Sequence, residues 1–162
     1  MDKIYKLEDL YNIIDQNYNS KQDFLKLPEY VKNYCGEDWK NYISLDMYDL
    51  FNSTPSKKIL DFHSNVLFND DYNIIYTNNY KFEMFLLCWT PDQSSKIDDH
   101  SKNGCIMKVL DGNINETLYD YKLNILNEYN IKQNYVSVIN YHIGQHLIKT
   151  PRYAVSLHIL VQ

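Results

Sequence analysis

Apolar positions in the first third of the chain recur at helical spacing. Leu7, Leu10, Tyr11 and Ile14 fall at i, i+3, i+4 and i+7, the stripe that an amphipathic helix turns toward a core. Leu25 and Leu27 precede Pro28, whose fixed φ suits the first turn of a helix; a second short helix is predicted through Tyr34, closed by Gly36. Trp39, Tyr42, Ile43 and Leu50 form a third stripe, so residues 7–50 read as helical. From about Lys58 the period shortens to two. Strands are predicted over 65–68, 72–76 and 81–89, with Asn69-Asp70-Asp71 and Asn78-Asn79 as polar turns. Strands at 105–110 and 114–121 flank Asp111-Gly112-Asn113, a hairpin signal, and 134–140 and 153–161 complete the set. Helices followed by a run of strands predict an α+β protein whose strands close as a barrel. A chain of 162 residues is expected to form one domain, with 1–57 as its helical part and 58–162 as its barrel.

On such a scaffold a few polar side chains stand out. Asp98 and His100 are two positions apart, so in an extended segment they project to one face while Asp99 points away. The bland alternative makes both solvated turn residues, since SSKIDDHSKNG is polar throughout. His146 in HIGQH could supply a third ligand, with His142 as a competitor four residues earlier. Two imidazoles and one carboxylate on one side of a metal form the facial triad of non-haem Fe(II) oxygenases; Mn(II) and Zn(II) suit the same donors. In the last predicted strand, Ala154, Ser156, His158 and Leu160 share one face, and Tyr153, Val155, Leu157, Ile159 and Val161 share the other. Ser156 and His158 can hydrogen-bond across i, i+2, either as a satisfied buried pair or as part of a site.

Composition narrows the chemistry further. Apolar residues at 44% and charged residues at 23% are ordinary for a soluble globular protein. A formal net charge of −5 gives no basic field for phosphates, so no nucleic-acid partner is expected. Arg152 is the only arginine, which removes the bidentate grip on carboxylates from almost every position. No apolar run is long enough to cross a membrane, and MDKIYKLEDLYNII is no signal peptide. Three cysteines, Cys35, Cys88 and Cys105, read as free thiols in a reducing compartment, so a cytoplasmic location is expected.

The motifs CW-x-P-x-Q-S-S, I-x-D-H-x4-C, K-V-L-x-G-x-I-x-E-T-L-Y, I-G-x-H and A-V-S-L-H, in that order over roughly residues 60–162, resemble cysteine dioxygenase. That family consists of thiol dioxygenases on a cupin β-barrel, the RmlC-like jelly roll, so the resemblance implies this fold. It also implies a metal site at Asp98, His100 and His146, where the family pattern has three histidines. A carboxylate in place of one imidazole removes a unit of positive charge and weakens the draw on an anionic thiolate. In the family, the serine and histidine matching Ser156 and His158 lead to a tyrosine two residues on, and that position here is Leu160. Cys105 matches the cysteine that in some members forms a thioether with that tyrosine, so no cross-link is expected. The family's substrate-binding arginine, in Tyr-x-Arg-Asn, corresponds to Ser64 in one register and to Asn78 in another. Full-length members continue beyond the position of Gln162, which predicts a more open cavity here, or a sheet edge left for another copy of the chain.

Two readings follow, and both stay open at this stage. In the first, Fe(II) is held by Asp98, His100 and His146, and a small thiol is oxidised with O2 to a sulfinate, with Ser156 and His158 as catalytic side chains. In the second, a non-catalytic cupin keeps the fold, with or without a metal, as a binding or assembly module. A 2-oxo-acid-dependent oxygenase also fits the carboxylate triad but lacks an arginine to hold its co-substrate.

Overall fold

The computed structural model describes residues 2–62, 81–95, 104–138 and 145–161, with the backbone alone of 65–68, 74–77 and 139. The first stripe forms helix α1 (Leu7–Asn17), and Leu7, Leu10, Tyr11 and Ile14 are its buried residues. Lys6 provides no side-chain cap; instead the Leu7 amide donates to Asp38 Oδ2 at 2.9 Å, which places a carboxylate at the positive end of the helix. The other oxygen of Asp38 accepts from Tyr34 Oη at 2.6 Å, and burial pushes the Tyr34 phenol well above its usual range. Helix α2 (Leu27–Asn33) opens with Pro28 in its first turn and buries Leu27 and Val31. Gly36 follows because the N-terminal segment passes against it: a Cβ there would lie 1.9 Å from the Tyr5 carbonyl oxygen.

The third predicted helix is a correction. Residues 38–42 and 45–47 form two short 3₁₀ turns. Trp39 is buried, Tyr42 and Ile43 pack against the core, and Leu50 is exposed. Ile43 is β-branched and the Ser44 hydroxyl bonds to Asp46, so both residues favour non-helical backbone at the point where the stripe would have continued.

The strands in chain order are β1 (Ser56–Ile59), β2 (Asn65–Phe68), β3 (Ile74–Thr77), β4 (Phe82–Trp89), β5 (Cys105–Asp111), β6 (Ile114–Tyr119), β7 (Ile125–Ile131), β8 (Val136–Ile139), β9 (Gln145–Lys149) and β10 (Ala154–Val161). A five-stranded sheet runs β1-β4-β10-β5-β8, a three-stranded sheet runs β7-β6-β9, and β2 pairs with β3. All the ladders are antiparallel. Strands β1, β7 and β9 are additions to the predicted set. The Asp111-Gly112-Asn113 hairpin is also corrected: β5 pairs with β10 and β8, and β6 pairs with β7 and β9. The Asp-Gly turn therefore carries the chain from one sheet to the other. Gly112 has φ +77°, and a Cβ on it would come within 2.4 Å of the Tyr153 carbonyl oxygen. The hairpin is β6–β7, turned by Asp120, whose carboxylate accepts the amides of Lys122 and Asn124.

Alternation along the central strands separates two cores. One face of the five-stranded sheet carries Met84, Leu86 and Cys88 from β4, Ile106 and Leu110 from β5, and Val155, Leu157 and Ile159 from β10; this face packs against α1 and α2. Lys108 lies on the same face, buried, and its ammonium donates to the carbonyls of Val31, Lys32 and Tyr34, closing the C-terminus of α2 onto the sheet. Burial lowers the Lys108 pKa. The opposite face, with Leu87, Trp89, Met107, Val109 and Ala154, meets Ile114, Ile131 and Ile148 of the three-stranded sheet. Of the candidate residues, the described ones, His146, Ser156 and His158, are all buried. Among the described residues no helix is long and apolar enough to cross a membrane.

Candidate functional site

Strand β10 supplies one wall of the interior. Its alternation is as predicted: Ala154, Ser156 and His158 face inward, all buried, and Val155, Leu157 and Ile159 pack toward the helices. Tyr153 lies just before the strand and is exposed, touching Tyr48 edge-on at 5.9 Å. Ser156 Oγ accepts from Trp89 Nε1 at 2.9 Å and lies 2.7 Å from His158 Nε2. The indole can only donate, so it occupies a lone pair of the hydroxyl oxygen. When the hydroxyl proton is directed to His158 Nε2, the ring proton sits on Nδ1. The imidazole is further fixed by stacking on Phe85, with centroids 4.9 Å apart and planes 4° from parallel.

The register places neighbours around this dyad. His158 faces Phe85 on β4 and Met107 on β5, and Met107 in turn faces Ser137 on β8. At the next inward level Leu160 lies between Glu83 and Cys105. Cys105 is buried, and its cross-strand neighbour on β10 is Leu160. Cys88 lies on the helix face, where burial pushes its thiol up to about 11 against the lowering effect of the Tyr48 hydroxyl.

A second polar chain crosses the interior from the other sheet. His146 lies on β9 and is 2% exposed, and Glu116 on β6 is 3% exposed. His146 Nδ1 is 2.8 Å from Glu116 Oε2, and Ser137 Oγ donates to Glu116 Oε1 at 2.7 Å. Ser137 joins the two walls, since it lies one strand from Met107 and two from His158, with adjacent partners about 5 Å apart at Cβ. Sequence reasoning passed over Glu116. The signal was available: counting by two from Ile114 places Glu116 on the core-facing side, where a carboxylate is costly without partners.

Lys57 was also missed, because SKKI looks like a polar linker. On β1 it faces Leu87 of β4, pairs with Glu83 and sits 4.1 Å over the Phe85 ring. Phe85 thus lies between the Lys57 ammonium and the His158 ring. Arg152 is exposed, as expected of a loop residue. Asp98, His100, His142 and the two arginine-equivalent positions, Ser64 and Asn78, lie outside the described residues. The segment bearing Asp98 and His100 is anchored at both described ends. Ser95 exchanges two 2.8 Å hydrogen bonds with Ile148 of β9, and the Gly104 carbonyl accepts from the Val161 amide of β10 at 3.0 Å. Gln93 of the CW-x-P-x-Q-S-S motif is buried and ties this corner to the carbonyls of Asp49 and Asn52.

Comparison with known proteins places this arrangement. The family model described as cysteine dioxygenase type I matches residues 66–161, well over half of the chain. The chain belongs to the cysteine dioxygenase type I family. Cysteine dioxygenase type 1 of Rattus norvegicus is 35% identical over 96 residues, covering 54% of this chain and 48% of the rat protein. The chain therefore spans about half the length of the curated relatives it matches. Among solved structures, TT1209 from Thermus thermophilus aligns with a TM-score of 0.52 at 11% identity over 77% of this chain and 95% of its own. An RmlC-like cupin from Desulfovibrio desulfuricans aligns at 0.47 with 10% identity over 73% of this chain and 92% of its own. Likeness at that identity bears on fold alone. The fold is α+β, helices followed by a cupin β-barrel.

Members of this family are non-haem iron enzymes, and the side chains described here can be tested against such an ion. Among the described residues no group of three or more His, Cys, Asp or Glu could hold a metal. The described contribution is one buried imidazole whose Nδ1 bonds a carboxylate, the usual setting of a metal-ligating histidine. That environment fits a divalent ion at Nε2.

Proposed function

We propose that this protein is a cysteine dioxygenase-like non-haem Fe(II) protein that oxidises a small thiol, cysteine or a relative, with O2 to the sulfinic acid. The reaction balances as one thiol and one O2 giving one sulfinic acid. In this reading residues 1–162 act as one domain, and Asp98, His100 and His146 hold the ion. The observation that carries it is the pair of buried polar chains, Trp89–Ser156–His158 and Ser137–Glu116–His146, facing one interior. A cupin core requires neither, and each buried polar group left without a partner would cost about 1–3 kcal/mol. The anchors of the Asp98 segment support the ligand set. Asp98 follows Ser95 by three residues, a reach of at most about 11 Å, and Ser95 is bonded to the strand that carries His146.

Fe(II), when bound, supplies the centre at which thiol and O2 meet. The chain's own residues set the surroundings. His158 holds a proton at a ring nitrogen whose choice is governed by Ser156, and Trp89 keeps the Ser156 oxygen oriented. Phe85, stacked on that imidazole, and Met107, its buried cross-strand neighbour on β5, shield it from water. Asp98 lowers the net charge of the centre, and Lys57, exposed on β1, is already paired with Glu83. Both features weaken the hold on a carboxylate-bearing thiolate, so cysteine should be a poor substrate.

A second reading, a non-catalytic cupin, is favoured by Leu160, which presents no hydroxyl where the family pattern has tyrosine. A pairing role for such a module would use β7, an edge strand of the three-stranded sheet, where Ile125, Leu126 and Tyr129 are exposed. Anaerobically purified protein loaded with Fe(II) and offered cysteine, cysteamine and 3-mercaptopropionate separates the readings. O2 uptake with matching sulfinate supports the enzyme; no uptake above free Fe(II) with any of the three supports the module.

A further inference from the structure

The interior holds a carboxylate that neither the motifs' ligand set nor the Ser156–His158 dyad uses. Glu116 faces Ile148 of β9 across the ladder, lies two residues along β6 from the buried Ile114, and is itself almost completely buried. Desolvating a carboxylate costs several kcal/mol, and an apolar residue would fill this inward position of β6 without that cost. Both oxygens are bonded, one to the Ser137 hydroxyl and the other to His146 Nδ1. The three side chains come from β8, β6 and β9, so the arrangement joins strands of both sheets.

The direction of these bonds follows from donor chemistry. A carboxylate can only accept. Ser137 therefore gives its proton to Oε1, and His146 gives its Nδ1 proton to Oε2. A neutral imidazole with its proton on Nδ1 presents its lone pair at Nε2, the nitrogen on the far side of the ring. We infer that Glu116, held by Ser137, is a positioning residue that fixes His146 in the Nδ1-protonated tautomer and so aims Nε2 at a divalent metal ion. The first half of this inference concerns the metal-free protein. The second rests on the reading of His146 as a ligand. Partners of this kind also raise the basicity of a ligating imidazole, and their loss typically weakens metal binding ten- to a hundred-fold.

The experiment has two readouts on the same proteins: wild type, Glu116→Gln, Glu116→Ala and His146→Ala. The first is nitrogen-15 NMR of the His146 ring in metal-free protein. The second is anaerobic titration with Co(II), followed by its visible absorption. Wild type is expected to show His146 protonated at Nδ1, and Glu116→Ala to lose that preference. Co(II) affinity should fall ten- to a hundred-fold in Glu116→Ala, and at least as far in His146→Ala. Glu116→Gln keeps the side-chain volume, so it reports even if the alanine variant does not fold. It offers one carbonyl oxygen to two donors and is expected to weaken Co(II) binding by a smaller factor. A wild-type ring protonated at Nε2 would overturn the inference at once. Folded Glu116 variants with wild-type Co(II) affinity, beside a His146→Ala protein that has lost it, would overturn the inference and leave the ligand assignment standing. Wild-type affinity in His146→Ala as well would remove the ligand assignment and the inference together.

Discussion

Truncating Ser156 to alanine tests whether the inward face of β10 is a built polar array. Trp89 and Ser156 are fully buried, and His158 is 2% exposed. The substitution removes the acceptor of the 2.9 Å indole bond and the partner of His158 Nε2, and no water-sized space is created by the loss of one oxygen. A buried donor left without a partner costs about 1–3 kcal/mol, and the imidazole nitrogen loses a hydrogen bond of about 1 kcal/mol. Against this stands the saving from no longer desolvating the hydroxyl, so the net loss should be about 2–3 kcal/mol. Urea unfolding followed by far-UV circular dichroism measures it. A Trp89→Phe background sharpens the test, because phenylalanine has no N–H to strand. There Ser156→Ala should cost about 1–2 kcal/mol less than in wild type, a coupling read directly from the double-mutant cycle. A loss below about 0.5 kcal/mol in the wild-type background, the value of an ordinary surface change, would refute the description of this wall.

Lys108→Met should destabilise the protein by about 1–3 kcal/mol at neutral pH, since it removes the buried ammonium that bonds the carbonyls of Val31, Lys32 and Tyr34. The pH dependence has a defined sign. Burial lowers the folded-state pKa of Lys108 below 10.5, so the unfolded chain binds more protons between the two values. Stability of wild type relative to Lys108→Met should therefore rise as pH is raised toward 10.5 and level off above it; paired urea titrations that show a fall would contradict this. Cys35, Cys88 and Cys105 should titrate as three thiols in denaturant, and a count of two would reveal a covalent link that Leu160 cannot make.

Different parts of this molecule were legible from sequence to different degrees, for physical reasons. Helix α1 and strand β10 each bury one regular set of side chains, so Leu7-Leu10-Tyr11-Ile14 and the alternation from Ala154 could be read directly. Strand β7 could not be read, because six of its seven residues are exposed and the ladder with β6, rather than burial, holds it in place. The Asp111-Gly112 turn announced a reversal without saying which strands would pair, since positive φ at glycine serves a hairpin and a change of sheet equally well. Within the site, His146 and the Ser156–His158 dyad were visible as motif residues. Glu116 stood on the correct face of an alternating strand, but its partners Ser137 and His146 are 21 and 30 residues away and meet it only in three dimensions.

The central claim, that one carboxylate and two imidazoles from separate segments hold one ion, is tested most directly by metal content. Wild type, Asp98→Ala and His146→Ala proteins would be equilibrated anaerobically with Fe(II), freed of unbound metal and assayed for iron per chain. The account predicts one iron in wild type and loss of most of it in both variants. Equal iron in all three would contradict it.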